Sequence, residues 1–268
     1  LDHTARTSLT TAFVITVMCT LATQASAQDP LWGGDLVGRI DSLALASIEG
    51  GSVAALSIGV KRGGDLLLTK GYGLADIENS VSATAETVYR IGSITKQFTA
   101  AAVMQLVEAG KIDIDASMTE YLPDYPAAGQ DVTIRHLLTH TSGIKSYTGL
   151  ASWAPKKTLD LSDEELVDLF KDEPVDFAPG ERFLYNNSGF YLLGMIIEAV
   201  SGESYRDYLD AHVFGPLGMS RSLYCDERPI VPGRAEGYEQ DGGELVNAEY
   251  LSMNQPGAAG ALRSTVPD

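Results

Sequence analysis

Cysteine is nearly absent from this sequence of 268 residues, with Cys19 and Cys225 the two it has. Cys19 falls in a segment read below as a removable leader, so one thiol remains and no intrachain disulfide can staple the fold. Cys225 reads as a partly buried structural thiol. Basic residues are also few: Lys and Arg number 19 against 36 Asp and Glu, a formal net charge of −17. Such an acidic surface argues against nucleic acid or an anionic membrane as partner, because both are polyanions, and says little about a small substrate. Histidine is scarce, and its one suggestive pair, His136 and His140, lies one helical turn apart. The segment lacks the Glu of a His-Glu-x-x-His site and nothing nearby offers a third ligand, so both read as structural and no metal is expected. No Gly-x-Ser-x-Gly elbow, no Ser/His/Asp set, no internal repeat and no low-complexity segment is present.

The apolar run 12–22 is too short to cross a bilayer. It is followed by Ala25-Ser26-Ala27, an A-x-A cleavage signature, so residues 1–27 read as a secretory signal and the protein as exported, to the periplasm or outside the cell. A buried N-terminal helix is the alternative. The sequence opens on Leu1 with a weak positive region, in which Asp2 offsets Arg6, as expected if the true start lies upstream. Cys19 lacks the neighbours of a lipoprotein box, so no lipid anchor is expected. Residues 28–268 suffice for one substantial core or a domain with a subdomain.

Local signals organise the rest. Asp35 can cap a helix carrying Leu36, Ile40, Leu43, Ala44 and Ile48 at the 3.6 period, up to Gly50-Gly51. Val53 to Val60 and Asp65 to Gly71, joined by Lys61-Arg62-Gly63-Gly64, read as a hairpin. Its strands are nearly continuously apolar, which predicts helices over both faces. Ser162-Asp163-Glu164-Glu165 is a capping box for Leu166 to Phe170. Two further helices are expected, one following Tyr185-x-Asn187 and stopping at Gly202, the other from Ser204 to Phe214. From Asp226 on, the sequence reads as polar and loop-rich.

The chemically informative stretch is Tyr89-Arg90-Ile91-Gly92-Ser93-Ile94-Thr95-Lys96-Gln97-Phe98: an extended end, a Gly turn, then a helix running to Gly110. Residues three apart share a helical face, so the Ser93 hydroxyl and the Lys96 amine can meet within the first turn. A serine needs a neighbouring base, and a desolvated lysine can be one. The Ser93 N–H, at a helix start, is free to face a developing oxyanion. Ser-x-x-Lys alone is weak: Ser93 also reads as a cap and Lys96 as a solvated residue. The same spacing recurs at Ser142 to Lys145, where Ser142-Gly143 reads as the turn ending a helix over Thr133 to His140. Taken singly, Tyr185 and Asn187 read as a packed aromatic and a helix cap.

Five stretches occur in order: Gly92-Ser93-Ile94-Thr95-Lys96-Gln97-Phe98-Thr99, His136-Leu137-Leu138-Thr139-His140-Thr141-Ser142-Gly143, Tyr185-Asn186-Asn187-Ser188-Gly189, Pro216-Leu217-Gly218-Met219 and Gly257-Ala258-Ala259-Gly260. Through them, from about Ile40 to Asp268, the sequence resembles the penicillin-recognising serine hydrolases: class C β-lactamases, D-alanyl-D-alanine carboxypeptidases, and related esterases and D-aminopeptidases. The resemblance implies an α/β fold of α+β type, with an antiparallel sheet flanked by helices and a helical subdomain, and the site between them. It implies Ser93 as the acylated nucleophile, and Lys96 as the acceptor of its proton or the holder of the network that accepts it. Tyr185 would be the proton shuttle, and Asn187 would orient Lys96 and the substrate's amide. It implies no cofactor. The substrate would be a small molecule or a peptidoglycan-derived one: a β-lactam, a D-Ala-D-Ala-type peptide or a simple ester. A non-catalytic peptidoglycan-binding or scaffold protein of the same fold is the other reading, and oligomeric state is left open. The family's third motif, His- or Lys-x-Gly on a late strand, is not found, so 28–268 is expected to be a domain truncated at its C-terminal end, and the site roles are assigned to the full-length protein, since the sequence as given lacks a strand that activity can require.

Overall fold

The computed structural model describes residues 35–126, 129 and 131–268. The expected leader, 1–27, lies outside them. Helix α1 (Leu36–Glu49) begins where the Asp35 carboxylate accepts the Gly38 N–H at 2.8 Å, and gives way to Gly51 in the left-handed region. Strands β1 (Ala55–Arg62) and β2 (Asp65–Asp76) form the expected antiparallel hairpin, turning through Gly63 and Gly64 at φ 59° and 93°. These angles are ones that a residue with a Cβ resists. Strand β3 (Val81–Ser82) adds to β2, and β4 (Tyr89–Arg90) belongs to a second sheet.

The middle of the chain is helical: α2 (Thr95–Glu108), α3 (Ile134–Leu138), α4 (Asp163–Val167), α5 (Asn187–Ser201), α6 (Tyr205–Leu209) and α7 (Gly215–Leu217). Then come β5 (Leu223–Tyr224), a hairpin of β6 (Tyr238–Asp241) and β7 (Glu244–Asn247), a one-turn helix α8 (Gly257–Gly260) and β8 (Leu262–Ser264). The second sheet runs β4-β8-β5, antiparallel throughout. Helix α5 is the centre of the core, packing on α2, α3, α6 and α8, with Leu192, Leu193, Ile196 and Ile197 fully buried. Around them lie Ala102 and Val103 of α2, Ile134 and Leu137 of α3, Leu166 of α4 and Leu209 of α6. The α+β class expected from the sequence is the one observed.

Four local expectations are corrected. The first hairpin is not covered on both faces, since Leu66 and Leu67 are 57% and 41% exposed. Helix α1 crosses it at the other end, where Asp41 binds Lys70 and Tyr72 and where Ile48 lies against Gly73. The 66–67 end projects past that crossing. The capping box at Ser162 and Glu165 forms, but its helix stops at Val167, short of Phe170. The single helix expected over Ser204 to Phe214 is α6 followed by a π-turn, Asp210–Phe214, and then α7, which ends on Gly218 at φ 70°. The polar tail holds β6 and β7, turned at Gly242-Gly243, and the fully buried β8.

Candidate active site

The site begins where the second sheet hands over to α2. Tyr89 and Arg90 pair with β8, and the Ile91 N–H continues the ladder to Leu262 O at 2.9 Å. Gly92, at φ 51°, then turns the chain into a 3₁₀ turn, Gly92–Ile94, whose first internal bond runs from Ile94 N–H to Ile91 O. Ser93 therefore precedes the hydrogen-bonded ladder, with an exposed side chain, while Thr95 and Lys96 one turn on are buried. Burial is reinforced from behind, because Thr95 Oγ1 accepts the Leu262 N–H and Thr99 Oγ1 donates to Ala258 O.

Lys96 Nζ has three partners. It donates to Asn187 Oδ1 at 2.8 Å and to Ala259 O at 2.7 Å, and reaches Ser93 Oγ at 3.3 Å. The two shorter contacts go to atoms that can only accept. Asn187 is fixed in that orientation because its Nδ2 donates to Thr148 Oγ1 at 3.0 Å. A neutral amine has two N–H groups and one lone pair. With both N–H groups committed, the lone pair is left for the Ser93 hydroxyl. The same geometry serves the ammonium, with the third N–H directed to Ser93 Oγ, so a proton can pass between the two without rearrangement. Burial pulls the Lys96 pKa below its ordinary 10.5, and the neighbouring Tyr185 phenol works against that shift.

Tyr185, half-exposed on the segment entering α5, donates from its hydroxyl to Ser93 Oγ at 2.6 Å. Its ring lies under Lys96, with Nζ 4.7 Å from the ring centroid. The cap of α5 is Asn186, whose Oδ1 accepts the Gly189 N–H at 2.8 Å. Asn187 is thus the first helical residue and its side chain is spared for Lys96. Ser93, Lys96, Tyr185 and Asn187 are therefore brought together by the fold. Sequence reasoning missed Thr148 and the Ala259 carbonyl. The first carries no motif. The second belongs to the quoted stretch Gly257–Gly260, but a backbone acceptor leaves no residue-type signal.

The competing features have other partners. Ser142 is buried beyond the end of α3, and Lys145 is ion-paired with Asp176. His136 completes a capping box with Thr133 at the start of α3, and His140 lies against the Tyr185 ring. Among the described residues no group of three metal-ligating side chains occurs.

Comparison with known proteins agrees in family and fold. Residues 40–268 match the family model described as Beta-lactamase. A penicillin-binding protein of Bacillus subtilis (strain 168) is 34% identical over 180 residues, covering 66% of this chain and 39% of its own. The solved structure of an octameric penicillin-binding protein homologue from Pyrococcus abyssi is 36% identical, with a TM-score of 0.73 over 87% of this chain and 54% of that one. D-amino acid amidase from Ochrobactrum anthropi SV3, complexed with D-phenylalanine, is 28% identical, with a TM-score of 0.75 over 87% of this chain and 68% of that one. The chain spans about half the length of the curated relatives it matches.

Proposed function

The chain belongs to the beta-lactamase family, and on that footing we propose that it is a serine hydrolase that forms an acyl-enzyme on Ser93. The observation that carries the reading is the convergence of the Lys96 amine and the Tyr185 hydroxyl on Ser93 Oγ, at 3.3 and 2.6 Å. In the first half-reaction Ser93 Oγ attacks the carbonyl carbon and its proton passes to the Lys96 lone pair. The Ser93 N–H faces the resulting oxyanion. As the tetrahedral intermediate collapses, Tyr185 gives its proton to the leaving nitrogen or oxygen and is reprotonated from Lys96. In the second, the same pair takes a proton from water as it attacks the ester, and Ser93 leaves as the alcohol. Asn187 keeps Lys96 aimed and presents its amide to the substrate.

The scissile bond is an amide or ester: a β-lactam, a D-Ala-D-Ala-type peptide or a small ester. The name of the D-amino acid amidase adds D-amino acid amides to that class. We further propose that the protein is exported, on the strength of the apolar run 12–22 and Ala25-Ser26-Ala27. No helix among the described residues is long and apolar enough to cross a membrane. A purely binding role is disfavoured because it gives no reason to bring two proton-transfer groups onto one exposed hydroxyl. The test is hydrolysis of a chromogenic cephalosporin, a D-alanyl-D-alanine peptide, a D-amino acid amide and p-nitrophenyl acetate by the full-length protein, as wild type and as Ser93→Ala. Turnover of at least one by wild type and of none by the variant is expected. Equal activity in the variant would refute the role of Ser93.

A further inference from the structure

His140 is one of two non-glycine residues in the left-handed region among those described, at φ 58°. That conformation is one which glycine adopts freely and a residue with a Cβ resists, so a histidine here needs a reason in its side chain. The contacts supply one. His140 O accepts the Leu184 N–H at 2.9 Å, and His140 Nδ1 accepts the Asn186 N–H at 3.1 Å. Between those two anchors stands Tyr185, whose ring packs on the imidazole with centroids 4.6 Å apart. One residue thus grips the backbone on both sides of the tyrosine and supports its ring as well. The residue after the second anchor is Asn187, the acceptor for Lys96.

From this clamp we propose that His140 is the positioning residue that aims Tyr185 at Ser93 and Asn187 at Lys96. Nδ1 must be unprotonated to accept the Asn186 N–H, which puts the ring proton on Nε2. The surroundings favour that neutral form: burial, and then the Lys96 charge, lower the His140 pKa. The rings around it are Tyr185, Phe183 and Phe190, and Lys96 Nζ stands over two of these, Tyr185 and Phe190. A protonated His140 would lose its acceptor and add a second cation beside Lys96.

The kinetic part of this inference rests on Ser93 as nucleophile; the geometric part does not. The test compares full-length wild type, His140→Gly and His140→Asn in two ways. The first is the rate constant for labelling Ser93 with a fluorophosphonate and with a fluorescent penicillin, on protein whose folded fraction is fixed by its thermal transition. The second is the crystal structure of each. Glycine relieves the backbone and removes the clamp, and labelling is expected to fall about 100-fold, the scale of a displacement of roughly 1 Å at a reacting group. Asparagine tolerates the left-handed backbone and places Oδ1 near the Nδ1 position, so it is expected to recover part of the rate. In the glycine structure the Tyr185 hydroxyl is expected to leave Ser93 Oγ, from its present 2.6 Å. Wild-type labelling by His140→Gly, or an unchanged Tyr185 to Ser93 contact in its structure, overturns the proposal. If glycine prevents folding, the structure of His140→Asn carries the test, and an introduced side chain that leaves the Asn186 N–H unbonded while Tyr185 keeps its contact to Ser93 and labelling keeps its wild-type rate overturns the proposal. If wild type itself takes no label, the nucleophile reading falls, and the Tyr185 position in the two structures decides the role of His140 alone.

Discussion

Ser93 Oγ is approached by an amine and a phenol, and Ser93, Lys96 and the Asn187 that holds Lys96 each carry a prediction. Replacing Ser93 with Ala is expected to lower turnover by about 10⁴-fold or more, as loss of a nucleophile does elsewhere. Stability should shift by no more than about 0.5 kcal/mol, because the side chain is exposed and fills no core. Steady-state kinetics and a thermal melt check the two halves. Lys96 sets the pH dependence. It works as base only when neutral, so acylation should rise with pH as the ammonium loses its proton. Since burial lowers that pKa, the midpoint should fall below the ordinary 10.5. A pre-steady-state profile with its midpoint at or above 10.5, or with no rising limb, would contradict this assignment. Asn187→Ala removes the 2.8 Å acceptor of Lys96, and loss of a hydrogen bond to a charged group is expected to slow acylation about 10- to 100-fold. Label incorporation over time measures it.

Helix α5 and the turn of α8 meet so closely that a Cβ on Gly194 would stand 2.6 Å from Ala258 Cβ. Gly to Ala inside a helix normally adds stability, by up to about 1 kcal/mol. Here packing should win: Gly194→Ala is expected to destabilise by about 1–3 kcal/mol, the scale of an overpacked core. It should also slow acylation, because the displaced turn carries the Ala259 carbonyl that holds Lys96. Ala258→Gly in the same protein should restore both, and denaturant melts of the single and double variants read the coupling. The same elements show where sequence was informative. Asp35, the Ser162 box and the turn at Gly63-Gly64 were legible because their chemistry is complete within a few residues. The Ser93 and Lys96 pairing was legible for the same reason, being one helical turn long. Tyr185 lies 92 residues from Ser93, and only family resemblance, not spacing, suggested that they meet. Asn186 and Asn187 are equally good caps by residue type; tertiary contacts make the first the cap and free the second. β8 is three residues long and is a strand because β4 and β5 flank it, which no local pattern announces.

Over the whole molecule the dominant sequence property is its charge of −17. Self-repulsion on that scale opposes the compact state and is screened by salt, with a Debye length falling from about 30 Å at 0.01 M to about 8 Å at 0.15 M. The melting temperature is therefore expected to rise between those two salt concentrations. A fall would mean that ion pairs such as those of Glu227 with Arg90, Arg234 and buried Arg263 outweigh the repulsion. Charge does not identify the reaction; the arrangement at Ser93 does, and covalent capture addresses it most directly. The full-length protein would be incubated with a fluorescent penicillin and, separately, with a fluorophosphonate, and the modified peptide sequenced by mass spectrometry. An adduct on Ser93 from either probe, absent in Ser93→Ala, is the expected result. The lifetime of a penicillin adduct would then sort a β-lactamase from a penicillin-binding peptidase, and labelling by the fluorophosphonate alone would indicate an esterase. Folded wild-type protein that takes neither label, or takes one on another residue, would contradict the acyl-enzyme account.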